Sequence, residues 1–347
     1  MNSSFIAAGY VSDRHLPVIA EKELQRLTHM NIAFGHVNEA QIVTQHLQHL
    51  NELERIRAVH PSLSILLSVG GWSAGGFSEA AATAEGRQRM ATSAVEAVVT
   101  HSLDGIDLDW EYPSYGVAGI AYSQEDRHNF TLLLSGIRVA LDQQGAEDGR
   151  HYLLTIAAGA DQYYIDGTEM EQVQQYVDFV QLMTYDMRGG FQILTGHHTN
   201  LYTPDGDLFR ISVDASVQLF QRAGVPAHKI VIGAAFYSRQ WEHVPDINHG
   251  LHQMAAGSGG YGPEYTELVA EYINVNGYVR YWDEQAQAPY LYNGSTFITY
   301  DDEQSITAKC QYIVDHGLAG MMFWEYGCDQ TQRLLHAMAD GLSESPS

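Results

Sequence analysis

The chain has 347 residues, 45% of them hydrophobic, enough to bury a large core, and no run approaches the roughly 18 to 20 continuous apolar residues that a membrane helix needs. Acidic residues outnumber basic ones 42 to 18 for a formal charge of −24, and only Lys22, Lys229 and Lys309 are lysines. Such a surface repels phosphate backbones and anionic headgroups, so nucleic acid and membranes are excluded as partners and a neutral or cationic ligand is favoured.

In chain order, the opening MNSSFIAAGYVSD has no charged n-region, apolar h-region or cleavage site, which predicts a cytoplasmic chain as it stands and a secreted one if a leader has been removed. Short apolar runs then alternate with helical stretches. The predicted strands span Phe5–Tyr10, Met30–Phe34, Ser64–Val69, Gly105–Asp109, Tyr152–Ala157, Phe179–Thr184, Ile230–Phe236 and Ala319–Trp324. The predicted helices include Gln45–Val59, Glu85–His101, Gln124–Leu141, Val213–Ala223, Glu303–His316 and Gln330–Met338, with Asp302 placed to cap the fifth and Gly317 to stop it. Eight strands alternating with helices make an α/β chain of the (β/α)8 TIM-barrel type, which needs about 250 residues. The surplus lies at 240–299, where GSGGYG and YWDEQAQAPYLYN predict a small α+β insertion between strands seven and eight, leaving 1–239 and 300–342 as the barrel domain. Ser343–Ser347 should fray, Cys310 and Cys328 read as free thiols, and the chain is expected to act as a monomer.

The chemistry concentrates in DGIDLDWEYP, from Asp104 to Pro113. Asp107, Asp109 and Glu111 alternate with Ile106, Leu108 and Trp110, so on a strand the acids form one column, spaced roughly 6 to 7 Å apart, with the apolar residues on the other face. Crowded, partly buried carboxylates repel one another. At least one pKa should rise, which suits a general acid. A calcium loop would want Gly and Glu where Tyr112 and Ala118 stand, and the apolar alternation argues against a divalent-metal cage or a solvated edge strand. Barrel enzymes build their sites at the C-terminal strand ends, where this chain places Tyr10, Phe34, Trp72, Asp107, Asp109, Glu111, Met183, Tyr185, Asp186, Tyr237, Arg239 and Trp324. Aromatic rings around an acidic centre suit a sugar, whose C–H faces pack on rings while its hydroxyls bind carboxylates. His197, His198, His243, His249 and His252 lie on predicted loops without zinc spacing and read as solvated surface. The glycine-rich stretches lack the Lys-Ser/Thr of a phosphate loop, and the sequons at Asn129 and Asn293 carry no weight without secretion. No cofactor or metal is expected.

DGIDLDWEYP resembles the DxxDxDxE signature of family 18 glycoside hydrolases, the chitinases; SVGGW at Ser68–Trp72 and MTYDM at Met183–Met187 resemble two further motifs of that family in the same order. The likeness runs from Tyr10 to Trp324, and the insertion is similar to the α+β domain of a deep-cleft subfamily. By resemblance, Glu111 is the acid that protonates the glycosidic oxygen and then activates water, Asp109 turns between Asp107 and the substrate acetamido group, and Tyr185 hydrogen-bonds the acetamido carbonyl. Asp186 is its subsite neighbour and Trp324 the floor under a distorted sugar. Tyr10, Phe34, Trp72, Tyr112, Met183, Tyr237 and Arg239 match supporting cleft residues. The implied substrate is chitin or N-acetylglucosamine oligosaccharides, cleaved with retention through the substrate's own N-acetyl oxygen. A conventional nucleophile would sit across the sugar from the acid, and Asp109 shares a strand with Glu111. The rivals are an endo-β-N-acetylglucosaminidase on glycoprotein glycans or peptidoglycan, and a chitin-binding lectin, which would have no use for Glu111.

Overall fold

The computed structural model describes residues 5–343; of the expected fraying at Ser343–Ser347, Ser343 instead ends a helix, and 344–347 lie outside the described residues. Its strands are β1 (Ile6–Ser12), β2 (His29–Asn38), β3 (Gln41–Val43), β4 (Ser64–Gly70), β5 (Gly105–Asp109), β6 (Leu153–Gly159), β7 (Phe179–Met183), β8 (Ile230–Ala235), β9 (Tyr237–Trp241), β10 (Gly260–Glu264), β11 (Val279–Asp283), β12 (Ala288–Tyr292), β13 (Phe297–Thr299) and β14 (Gly320–Trp324). The longer helices are α1 (Glu52–Val59), α2 (Phe77–Ala82), α3 (Ala84–Thr100), α4 (Asp126–Asp148), α5 (Val213–Arg222), α6 (Glu303–His316) and α7 (Arg333–Ser343). One sheet runs β1-β14-β8-β7-β6-β5-β4-β2, and β1 also pairs with β2, so eight strands close into a (β/α)8 barrel. The strand pairs β1–β2, β2–β4, β4–β5 and β5–β6 are parallel, while β3 returns antiparallel on the extended end of β2. A second, five-stranded sheet, β10-β9-β13-β12-β11, is inserted before β14, with its neighbouring strands antiparallel.

By contacts the chain divides into two compact units. The first comprises Ala8–Leu182 and Leu219–Val231 and contains the strand of acids. Every residue of β5 is buried, as expected of a parallel strand covered on both faces. Gly105 opens β5 because a Cβ there would stand 2.2 Å from the Leu153 carbonyl oxygen. Trp110, just past the strand, stacks on Phe77 of α2 at 5.4 Å and meets Phe130 of α4 edge-on at 5.5 Å, which turns the apolar residues toward the helices. α3 starts at Thr83, whose side chain accepts from the Gly86 N–H, and α4 ends on left-handed Gly149. The predicted helix at Gln45–Val59 is shortened to α1. The Gln48 and His49 N–H groups donate to the Asp13 carboxylate, so that stretch serves a side chain instead of a helix.

The second unit comprises the described part of Met1–Ala7, Met183–Gln218 and Ile232–Ser347. The five-stranded sheet has its own core of Trp241, Val244, Leu251, Ala255, Tyr290, Tyr292 and Phe297. That sheet begins at Tyr237, so Tyr237 and Arg239 lie on β9 and not at the end of the seventh barrel strand, which stops at Ala235. Asp302 caps α6 through a reciprocal box with Ser305, and Gly317 ends it at φ 60°. α7 starts three residues later than predicted because the Asp329 carboxylate takes the Thr331 and Leu334 N–H groups. Beside α6, Lys309 and Asp301 form a fully buried ion pair completed by Thr199. Cys310 and Cys328 are free and buried, and burial pushes both thiols up to about 12.

Candidate active site

The first unit brings the acid column together. Asp107 is wholly buried and accepts four side-chain hydrogen bonds: Oδ2 from Tyr10 at 2.9 Å and Ser68 at 2.7 Å, Oδ1 from Thr155 at 2.7 Å and Gln181 at 2.9 Å. These donors stand on β1, β4, β6 and β7, so Asp107 points into the barrel. Burial raises its pKa and the four donors oppose the rise. Asp109, 4% exposed, is different: its Oδ1 has no hydrogen-bond partner. Burial, then the charges of Glu111 and Asp107, lift its carboxyl well above the usual range. The buried phenol of Tyr164, also unpartnered, feels the Asp109 charge.

The SVGGW motif explains how the column is fixed. Gly70, at φ 120°, lies so close to Asp109 that a Cβ would stand 2.0 Å from its carbonyl oxygen, and the Gly71 N–H donates to that same oxygen at 2.9 Å. No larger residue fits there. Phe34 packs against Gly71. Glu111 is buried just beyond β5. Burial, then Glu111 and Tyr163, hold the Tyr112 phenol well above its usual pKa, and the same two side chains hydrogen-bond it. Tyr112 also meets Trp72 edge-on at 6.5 Å, and Trp72 leaves 52% of its surface to solvent. The peptide bonds Ala33–Phe34, Glu111–Tyr112 and Trp324–Glu325 are cis. Asp104, the first acid of the motif, stands apart at the start of the strand, paired with Arg57 and Arg150.

The second unit holds the remaining candidates, and there Asp186, a left-handed residue at φ 56°, joins Tyr237 and Arg239. Its carboxylate, 37% exposed, accepts from Tyr237 Oη at 2.7 Å, Arg239 Nε at 2.7 Å and Arg239 Nη2 at 2.6 Å. Partial burial works to raise its pKa, but His198 and Arg239 outweigh it and hold Asp186 well below the usual range. The Arg239 guanidinium lies 3.7 Å over the Tyr261 ring. Tyr185 donates to Met322 Sδ at 3.8 Å, and Met183 and Trp324 are half-buried at the ends of β7 and β14. His197 and His198 are buried, not solvated: His197 pairs with Asp283 at 3.0 Å, and His198 Nδ1 accepts from the Asp186 N–H. The loop they occupy folds inward to satisfy those carboxylates. His243 and His249 are exposed, as expected of solvated loops, and His252 is half-buried.

Thr155, Gln181, Asn31, Tyr163 and Tyr164 take part in these networks without having been singled out in the sequence. The signal was a lone polar residue in an apolar strand: Asn31 in MNIAF, Thr155 in LLTIAA, Gln181 in FVQLM. Such a residue needs a buried partner.

A family model described as "Glycosyl hydrolases family 18" matches residues 6–329. Chitinase A1 of Niallia circulans is 41% identical over 304 residues, 82% of this chain and 43% of that protein. Chitotriosidase-1 of Mus musculus is 32% identical over 315 residues, 87% of this chain and 67% of that protein. The chain thus spans less than half the length of chitinase A1. Among solved structures, a glycoside hydrolase family 18 N-acetylglucosaminidase from Paenibacillus barengoltzii is 69% identical with a TM-score of 0.96, covering 97% of this chain and 99% of that one.

Proposed function

Because the chain belongs to the glycosyl hydrolases of family 18, we propose that it hydrolyses β-1,4-linked N-acetylglucosamine chains with retention, using Glu111 as general acid and base. The observation that carries this reading is the asymmetry of the acid column: Asp107 is saturated by donors, while Asp109 offers a buried carboxyl oxygen with no partner. An acetamido N–H from substrate would satisfy that oxygen.

In the proposed reaction Glu111 gives its proton to the glycosidic oxygen while the N-acetyl oxygen of the same sugar attacks the anomeric carbon, forming an oxazolinium ion. Asp109 stabilises the developing positive charge. Glu111, now a carboxylate, takes a proton from water, which opens the ring on the face the leaving group left. Tyr185 is assigned the acetamido carbonyl, Asp186 its neighbour in the subsite and Trp324 the sugar floor; Tyr10 supports Asp107. Phe34, Trp72, Tyr112, Met183, Tyr237 and Arg239 are assigned supporting contacts to the sugar chain.

A second reading is favoured by the 69% identical structure that is described as an N-acetylglucosaminidase. On that reading the enzyme releases single N-acetylglucosamine units from a chain end. Mass analysis of the early products from N-acetylglucosamine oligomers of graded length tests both: from a hexamer, dimer with tetramer or paired trimers support internal cleavage, monomer paired with pentamer supports release from the end, and no product rejects both. Glu111→Gln should abolish turnover and keep oligomer binding, and activity within about tenfold of the parent would contradict the role of Glu111.

A further inference from the structure

We infer that Gln181, oriented by Asn31, is a positioning residue for the acid column: its amide hydrogens complete the donor set around Asp107, keep that carboxylate an acceptor, and so leave the column's proton to Asp109. Its catalytic meaning rests on the hydrolase reading; its geometry does not.

Gln181 is wholly buried on β7. Its Nε2 donates to Asp107 Oδ1 at 2.9 Å and to Tyr10 Oη at 3.1 Å, and its Oε1 accepts from Asn31 Nδ2 at 2.9 Å. Reversing the amide would press Oε1 against the Asp107 carboxylate, so the Asn31 bond and the carboxylate select one orientation. That orientation passes along the network. Because Tyr10 Oη accepts from Gln181, its own hydrogen goes to Asp107 Oδ2. With Ser68 and Thr155, four donors then meet the four lone-pair sites of one carboxylate. A proton placed on Asp107 would force a hydroxyl to surrender its donor role. The three hydroxyls could rotate to do so, but the amide nitrogen of Gln181 has no acceptor to offer.

The ionisable groups around Asp107 are Tyr10 from β1, Asp109 on its own strand, and Tyr164, which feels its charge. Ser68, Thr155, Gln181 and Asn31 are neutral. Asp109 receives no comparable set of donors, and its Oδ1 is unpartnered. The division of labour between two neighbouring acids is therefore completed by residues on β2 and β7, remote in sequence from both.

The test is a carbon-13 NMR titration of the full chain carrying carboxyl-labelled aspartate, with the Asp107 resonance assigned by its loss in Asp107→Asn. The Asp107 midpoint should rise by about one pH unit in Gln181→Met, and further in Gln181→Glu, where an acid replaces the donor. The acid limb of the kcat profile should move upward in step, with KM for N-acetylglucosamine oligomers within about twofold of the parent. Equal midpoints in the parent and both variants overturn the inference, as does a uniform loss of kcat with an unmoved limb. If the parent cleaves no oligomer, the hydrolase reading falls while the titration still decides the role of Gln181. Should Gln181→Met not fold, the isosteric Gln181→Glu carries the same readout.

Discussion

Two aspartates two residues apart are chemically identical in sequence and opposite in surroundings. Asp107 meets Tyr10, Ser68, Thr155 and Gln181; Asp109 meets the charges of its neighbours and presents an oxygen to nothing. A carboxyl that keeps its proton in the empty site can rearrange when a substrate amide arrives, whereas one gripped by four donors cannot. Asp109→Asn keeps the shape but, unlike the acid, cannot shed a proton to face an oxazolinium ion as a carboxylate. It should lower kcat by about 10³-fold or more and leave KM within about threefold, read from steady-state kinetics on a defined oligomer. Turnover near the parent's would remove the acetamido mechanism. At the other cluster, Asp186 adopts a left-handed backbone that aspartate tolerates, and from there it meets Tyr237 and both arms of the Arg239 fork.

At the scale of elements, local chemistry sets where each begins and ends. Thr83 accepts the Gly86 N–H at the head of α3, so Thr83→Ala should cost about 1 kcal/mol of stability with kcat unchanged, seen as a lower urea midpoint at the same slope. A loss of activity at full stability would show that α3 does more than brace the barrel. All eight barrel strands were legible, because strands buried on both faces are continuous apolar runs that few other structures produce. The acid column was legible for the same reason: carboxylates alternating with Ile106, Leu108 and Trp110 have little other explanation. Asp302 and Gly317 were legible as the ends of α6 because capping is a local signal. What escaped was non-local. Nothing near Gln48 announces that Asp13, 35 positions earlier, will take its N–H and deny it to a helix. His198 looks like loop until the Asp186 peptide is placed against it. The start of the inserted sheet was misjudged because Tyr237 and Arg239 follow β8 almost without a break, so that apolar alternation alone does not reveal a change of sheet.

For the molecule as a whole, a formal charge of −24 means that carboxylates crowd a surface with few cations to offset them. Raising ionic strength from low values to about 0.2 M, where the screening length falls to several ångströms, should raise the melting temperature. Because the proposed substrate is neutral, KM should change little over the same range. A KM that climbs steeply with salt would reveal a cationic ligand, such as a deacetylated polymer. Neither Cys310 nor Cys328 would take part in any such titration, because each thiol is buried and ionises only near pH 12. Maleimides and iodoacetamides react with thiolates, so a cysteine engineered onto the exterior would be the sole handle for a fluorophore, a spin label or a solid support, and the native pair could be left in place throughout.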